Sequence, residues 1–207
     1  MKILFQGDSI TDCHRKYEKY DDLGEGYVLY TVNALKNEFP ELDIEYINRG
    51  ISGNRTENLL ERIDNDLVDI QPDIVTLLLG INDTWHKYMI GRDTPTERFY
   101  ANYEEIILTI KERTNAKLII LEPFLLYNMN KDNMREDLNE KIDCVRKLAL
   151  KYADYFIPLD AEFVSATVAG AINTELSADG VHPAEQGKQL IANKLIPVLS
   201  DFIKRIS

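Results

Sequence analysis

Residues 73–80 read DIVTLLLG, a nearly continuous apolar run closed by a glycine. A strand with one wet face alternates apolar and polar residues. A run this uniform suits a strand buried on both faces, which is where strands sit in a parallel sheet covered by helices. The neighbouring segments repeat the theme. KILFQ (2–6) and IEYIN (44–48) lie upstream, and KLIILEP (117–123) and DYFIPLD (154–160) lie downstream. Residues 26–39, GYVLYTVNALKNEF, carry apolar residues at spacings of three and four and read as an amphipathic helix. Residues 56–69 start at Thr56 with Glu57 following, and place Leu59, Leu60, Ile63 and Leu67 on one face. Further helices are expected over 96–114, over 132–152 (with Leu138, Ile142, Val145, Leu148 and Ala149), and briefly over 161–170. A last one runs from Pro183 to the end, with the proline suited to its first turn. Five strands alternating with helices imply an α/β protein with one parallel sheet covered on both faces. Segments 13–25, 84–95 and 124–131 are the least regular and are expected to form pocket-rim loops at the strand C-termini.

The chain has 207 residues, 44% apolar and 29% charged, which suits one domain over 1–207 and excludes wholesale disorder. No internal repeat, low-complexity tract or linker interrupts it. The net charge of −11 repels nucleic acid and anionic membranes, so neither is expected as a partner. The same field favours neutral substrates unless a local patch overrides it. The opening MKILFQGDS is too short in its apolar part for a signal peptide, and no run approaches a membrane-spanning length. A cytoplasmic protein is expected. Cys13 and Cys144 fit no metal-binding or redox spacing and are expected as free thiols. Cys13 is near Ser9 in sequence, where it either lines a pocket or serves as a small packing residue.

Four short polar segments end hydrophobic runs: GDSIT (7–11), RGISGN (49–54), GIND (80–83) and DGVHP (179–183). Ser9 follows the first strand at the start of a short helix, where backbone N–H groups can hold an oxyanion. A capping serine would look the same. The segment is not the G-x-S-x-G elbow, because Thr11 stands where the second glycine belongs. Gly53 follows the second strand in a turn that can expose an N–H, or is an ordinary β-to-α turn glycine. Asn82 follows the third strand; its amide can donate to an oxyanion or cap a turn. Asp179 and His182 lie three residues apart, close enough for the carboxylate to hold one imidazole tautomer. Of the three histidines, only His182 has such a partner and a following proline. Loops after successive strands of an open parallel sheet gather at one edge. All five groups can therefore meet, and together they supply the nucleophile, base, acid and oxyanion donors of acyl transfer.

These segments resemble the GDSL family of esterases in its SGNH hydrolase branch, whose letters correspond here to Ser9, Gly53, Asn82 and His182. The motif order matches over nearly the full length; Ile10 replaces the leucine of the family name and keeps an apolar anchor. The resemblance implies a flavodoxin-like three-layer α/β/α sandwich. It implies Ser9 as nucleophile, His182 as base and Asp179 as its orienting acid, with Ser9, Gly53 and Asn82 as oxyanion hole. GDSITD (7–12), GINDTW (80–85), GYV (26–28) and EPF (122–124) further resemble bacterial carbohydrate esterases that remove acetyl groups from xylo-oligosaccharides. Such an enzyme needs no metal or organic cofactor, and its partner is a small-molecule or oligosaccharide ester. Asp8, Arg55, Trp85 and Tyr88 are candidate substrate contacts. Trp85, the only tryptophan, could stack on a sugar, wall off a small acyl pocket or simply pack its loop. Tyr17, Tyr20 and Tyr127 are candidates for a homo-oligomer interface. Two other functions stay open: a lysophospholipase or thioesterase for longer acyl chains, and a carbohydrate-binding module without turnover.

Overall fold

The computed structural model describes residues 1–127 and 131–206. Five strands, β1 (Lys2–Gly7), β2 (Glu45–Asn48), β3 (Ile74–Leu78), β4 (Lys117–Leu121) and β5 (Tyr155–Ile157), form one parallel sheet in the order β2-β1-β3-β4-β5. β3 lies at its centre and is buried at every position, as the DIVTLLLG run requires. Alternate side chains go to opposite faces. Ile3, Phe5, Ile74, Leu78, Ile119 and Leu121 share one core cluster; Leu4, Ile47, Val75, Leu77, Leu118 and Ile120 share the other.

Each face is closed by helices. The first is covered by α2 (Tyr27–Glu38), α7 (Leu159–Val168) and α9 (Glu185–Ile206). The second is covered by α3 (Thr56–Ile63), α5 (Thr96–Arg113) and the C-terminal half of α6 (Arg135–Tyr152). The result is helix on sheet on helix, the α/β/α sandwich expected from the resemblance. Shorter helices α1 (Ser9–Asp12), α4 (Ile81–Ile90) and α8 (Asn173–Leu176) complete the set described.

Register places the loops. Gly7 pairs with Leu78, and Leu78 pairs with Leu121, so β1, β3 and β4 end level with one another. β2 and β3 lie on opposite sides of β1, making the β1/β3 boundary the point where the winding reverses and a crevice opens.

Several boundaries differ from the sequence reading. Segment 84–95 is not a loop: α4 continues to Ile90, and the irregular part begins at Gly91. Its buried residues are Ile81, Asn82, Asp83 and Thr84, so its inward face is mostly polar and shows no apolar period. The 56–69 helix is α3 followed by a π-helical turn, Asp64–Val68. Segment 154–160, read as a strand or partial strand, is a partial one: β5 has three residues and stops before Pro158, which has no N–H to extend the ladder. The last helix starts at Glu185, leaving Pro183 in the preceding loop. α8 had no sequence signal. The expected rim loop 124–131 includes residues 128–130, which lie outside those described.

Gly50 fixes how closely the β2–α3 loop approaches α1. A Cβ there would stand 2.3 Å from the Asp12 amide nitrogen and 2.7 Å from the Thr11 carbonyl carbon. Both are backbone atoms, so neither can swing aside. Gly50→Ala is expected to lower stability by about 1–3 kcal/mol, read by urea denaturation; an unchanged midpoint would show that the two loops tolerate separation.

Candidate active site

Asp8 follows β1 and caps α1, its Oδ1 accepting the Ile10 N–H at 3.0 Å. That turn presents Ser9 as the first helical residue. Ser9 Oγ lies 3.0 Å from His182 Nε2, and His182 Nδ1 lies 2.9 Å from Asp179 Oδ2. A carboxylate only accepts, so Nδ1 carries the proton and Nε2 is free to accept from the serine hydroxyl. Asp179 Oδ1 meanwhile accepts the backbone N–H groups of Val181 (2.9 Å) and His182 (2.8 Å). Ser177 Oγ donates to the His182 carbonyl at 2.7 Å. The 177–183 loop thus folds around its own aspartate. Burial works to raise the Asp179 carboxyl, but the hydrogen bonds from the His182 side chain and backbone and from Val181 outweigh it. The group is held far below the usual carboxylate range. The His182 side chain is 46% exposed, so a molecule entering from solvent can reach it.

Gly53 has φ +78°, in the left-handed region, yet a Cβ there would meet nothing within 4 Å. Backbone conformation, not space, demands glycine. Asn82, nearly buried, donates from Nδ2 to the Asn54 carbonyl at 3.1 Å, which ties it to the Gly53 loop and leaves its second N–H for another acceptor. The next residue tightens the link. Asp83 accepts from the Thr56 amide (3.0 Å) and hydroxyl (2.7 Å), joining the start of α4 to the start of α3.

A cavity of about 320 Å³ opens beside Ser9 and His182. Ile10, Cys13 and Tyr27 wall it on one side, and Ser52, Pro183 and Lys188 elsewhere. His14 also faces it. Cys13 and His14 take left-handed φ values of 38° and 66°, a paired departure that ends α1 abruptly at the cavity rim. Both cysteines are free thiols, Cys144 being buried in the core. Tyr27 belongs to GYV, but nothing in that triplet showed that its ring would lie here. Lys188 follows His182 by six residues and lies in the first turn of α9.

The four expected substrate contacts do not line this cavity. Asp8 is enclosed, with Oδ2 buried and unpartnered among the described residues. Arg55 is also enclosed; it donates to Thr94 Oγ1 at 2.9 Å and pairs with Glu57. Neither lies at the cavity beside Ser9, and Arg55 Nε, like Asp8 Oδ2, has no partner among the described residues. Tyr88 is exposed on α4, with the Lys87 ammonium 5.8 Å over its ring. Trp85 packs beside His182, ring centroids 5.3 Å apart and planes inclined by 51°. Sequence reasoning missed Asp83, Thr56 and Lys131. Asp83 stood in the quoted GIND, but the clamp it makes is a tertiary contact. Tyr17, Tyr20 and Tyr127 are exposed.

Among the described residues no group of His, Cys, Asp and Glu is arranged to hold a metal, and no helix is long and apolar enough to cross a membrane.

Asp8 and Asp83 carry a pH signature. Burial pushes the Asp8 carboxyl up to about 7, with the Ile10 N–H opposing, and burial pushes Asp83 up to about 6 against the Thr56 bonds. The folded chain keeps a proton on Asp8 that the unfolded chain releases above its ordinary value of 3.8. Stability from this group therefore falls as pH rises from about 4 toward 7. Asn caps a helix as well as Asp and does not titrate. Asp8→Asn is expected to gain on wild type between pH 5 and pH 8, by an amount of the order of 2–4 kcal/mol. Urea denaturation at the two pH values checks this; a constant or shrinking difference would refute it.

Residues 5–190 match the GDSL-like Lipase/Acylhydrolase family. Over 203 residues the chain is 31% identical to the acetylxylan esterase of Geobacillus stearothermophilus, covering 94% of this chain and 92% of that one. The crystal structure of Axe2, the acetylxylan esterase of that organism, is similar with a TM-score of 0.85 at 31% identity, over 95% of this chain and 92% of Axe2. A Parabacteroides merdae structure described as a GDSL-like lipase gives a TM-score of 0.86 at 34% identity, over 93% of this chain and 92% of that one. With nearly all of its length matched in sequence and in fold, the chain belongs to the GDSL-like lipase/acylhydrolase family and is a carboxylic ester hydrolase.

Proposed function

We propose that this chain hydrolyses short-chain esters of carbohydrates, acetyl esters above all, with Ser9 as nucleophile, His182 as base and Asp179 as its orienting acid. The observation that carries this reading is the unbroken chain of contacts from Ser9 Oγ through the imidazole to Asp179, at 3.0 and 2.9 Å. Three structures of the Geobacillus enzyme are described as catalytic mutants, replacing a serine, an aspartate and a histidine. That enzyme is also described as an acetyl-xylooligosaccharide esterase. A cavity of about 320 Å³ suits a small acyl group with part of a sugar better than a long alkyl chain.

In the first step Ser9 Oγ attacks the acyl carbon as His182 Nε2 takes the hydroxyl proton. The carbonyl oxygen becomes an oxyanion, received by the N–H groups of Ser9 and Gly53 and the amide of Asn82. Asp179 stabilises the imidazolium. The bond from the acyl carbon to the sugar oxygen then breaks, and His182 gives its proton to that oxygen. In the second step water attacks the acyl-Ser9 ester, again losing a proton to His182. Acetate leaves as Ser9 regains its hydrogen. Free Cys13 and Cys144 support a reducing, cytoplasmic setting.

Acetate release from acetylated xylo-oligosaccharides tests the reading. Wild type is expected to release acetate and Ser9→Ala to lose at least ~10³-fold in turnover. Ser9-dependent cleavage of nitrophenyl octanoate in preference to the acetate would favour a longer-chain acylhydrolase. Failure of Ser9 to react with a fluorophosphonate would favour binding without turnover.

Removing a single oxyanion donor isolates the hole from the nucleophile. Asn82→Ala is expected to lower kcat by ~10²-fold or more, with a melting temperature within a few degrees of wild type. Normal kcat in that variant would remove Asn82 from the hole.

A further inference from the structure

The Asp179–His182 pair is exposed, and an exposed imidazole can swing away from a serine by rotating about its side-chain bonds. Two residues outside the reaction path enclose it. Lys131 Nζ lies 2.5 Å from the Asp179 carbonyl oxygen and 3.4 Å from Asp179 Oδ2, the oxygen that also accepts from His182. The same ammonium lies 4.6 Å over the Trp85 ring, and that ring also packs beside His182, at 5.3 Å between centroids. The contacts close a circuit: Lys131 to Asp179, Asp179 to His182, His182 to Trp85, Trp85 back to Lys131. The Lys131 side chain is only 15% exposed, so its position is defined by these partners rather than by solvent.

The circuit is anchored on three parts of the fold. Trp85 belongs to α4, whose residues Thr84 and Lys87 bond to Asp137 of α6 at 2.7 and 2.9 Å. Lys131 opens the turn into α6, its carbonyl accepting the Met134 N–H at 2.9 Å. The segment after β4 is also joined to the Asp179 loop through its backbone, Leu126 N–H donating to the Gly180 carbonyl at 2.8 Å. Lys131 is thus a second strut between the same two loops, placed at the aspartate itself.

We propose that Lys131 and Trp85 form a brace around the Asp179–His182 pair, in which Lys131 is a positioning residue that pins the aspartate and clamps the indole against the imidazole. This rests on the esterase reading for its kinetic consequence and not for its geometry. Neither residue lines the cavity beside Ser9. Loss of the brace should therefore slow the chemical step rather than weaken substrate binding. It also assigns Trp85 a place behind the histidine instead of a sugar-stacking one.

The test compares Lys131→Met, which keeps the aliphatic stem over Trp85, with Lys131→Arg, which keeps the charge and the donors. Phenyl acetate serves as a substrate too small to need a sugar subsite. Lys131→Met is expected to lower kcat by ~10-fold with KM within ~2-fold of wild type, as follows from a small misplacement of a reacting group. Lys131→Arg is expected to recover most of the loss. A second readout needs no activity: the low-field proton resonance of the His182 Nδ1–H bonded to Asp179. It should be sharp in wild type and in Ser9→Ala, and broadened in Lys131→Met. Unchanged kcat and an unchanged resonance in Lys131→Met would overturn the brace. So would a rise in KM confined to sugar esters, which would make Lys131 and Trp85 a substrate subsite. An inactive wild type, or Ser9→Ala as active as wild type, would refute the esterase reading while the resonance still decided the brace.

Discussion

The parallel pairing of β1 with β3 is the rung on which the site hangs. It sets Gly7 level with Leu78, so the chain leaves both strands at the same height. Ser9 is two residues beyond one end and Asn82 four beyond the other. β2 on the far side of β1 delivers the Gly53 loop to the same edge. A shift of one residue in that register would turn the apolar set of β1 to the wrong face, so the two cores forbid it. The placement of Ser9, Gly53 and Asn82 is in this way protected by the hydrophobic energy of the sheet.

Three carboxylates near the site show how environment decides charge. Asp179 keeps its negative charge because His182 and two backbone N–H groups outweigh its partial burial. Asp83 is far more deeply buried, and its two bonds from Thr56 do not fully compensate, so its carboxyl stays raised. Asp8 accepts one N–H and has a second oxygen with no partner among the described residues, and it is raised further. The sequence of shifts follows the balance of donors against burial rather than distance from Ser9. The acid suited to stabilising an imidazolium is the one whose own loop wraps it in donors.

Most of the architecture was legible because apolar periodicity is a local property. DIVTLLLG is uniform and became the central strand; Leu59, Ile63 and Leu67 repeat at helical spacing and became buried on α3 and its π-helical extension. The failures share a cause. α4 buries Asn82, Asp83 and Thr84, and a polar inward face gives no apolar period to read. Arg55 is enclosed beside Thr94 and Glu57, and its contact with Thr94, far along the chain, has no local signal. Trp85 and Lys131 are 46 residues apart in a chain that brings the ammonium of one over the ring of the other, and no pattern in either segment announces that meeting.

The sequence by itself determined the alternation of strands and helices, the gathering of the loops at one sheet edge, and the short pair Asp179–His182, whose contact spans three residues. These depend on spacing within a segment or on rules that every parallel sheet obeys. Only the tertiary structure decided which side chains share a cavity, which carboxylates keep a proton, and which groups stand behind the histidine. Those outcomes depend on burial and on distances between segments far apart in the chain, and both quantities come into being only when the two cores close on the sheet.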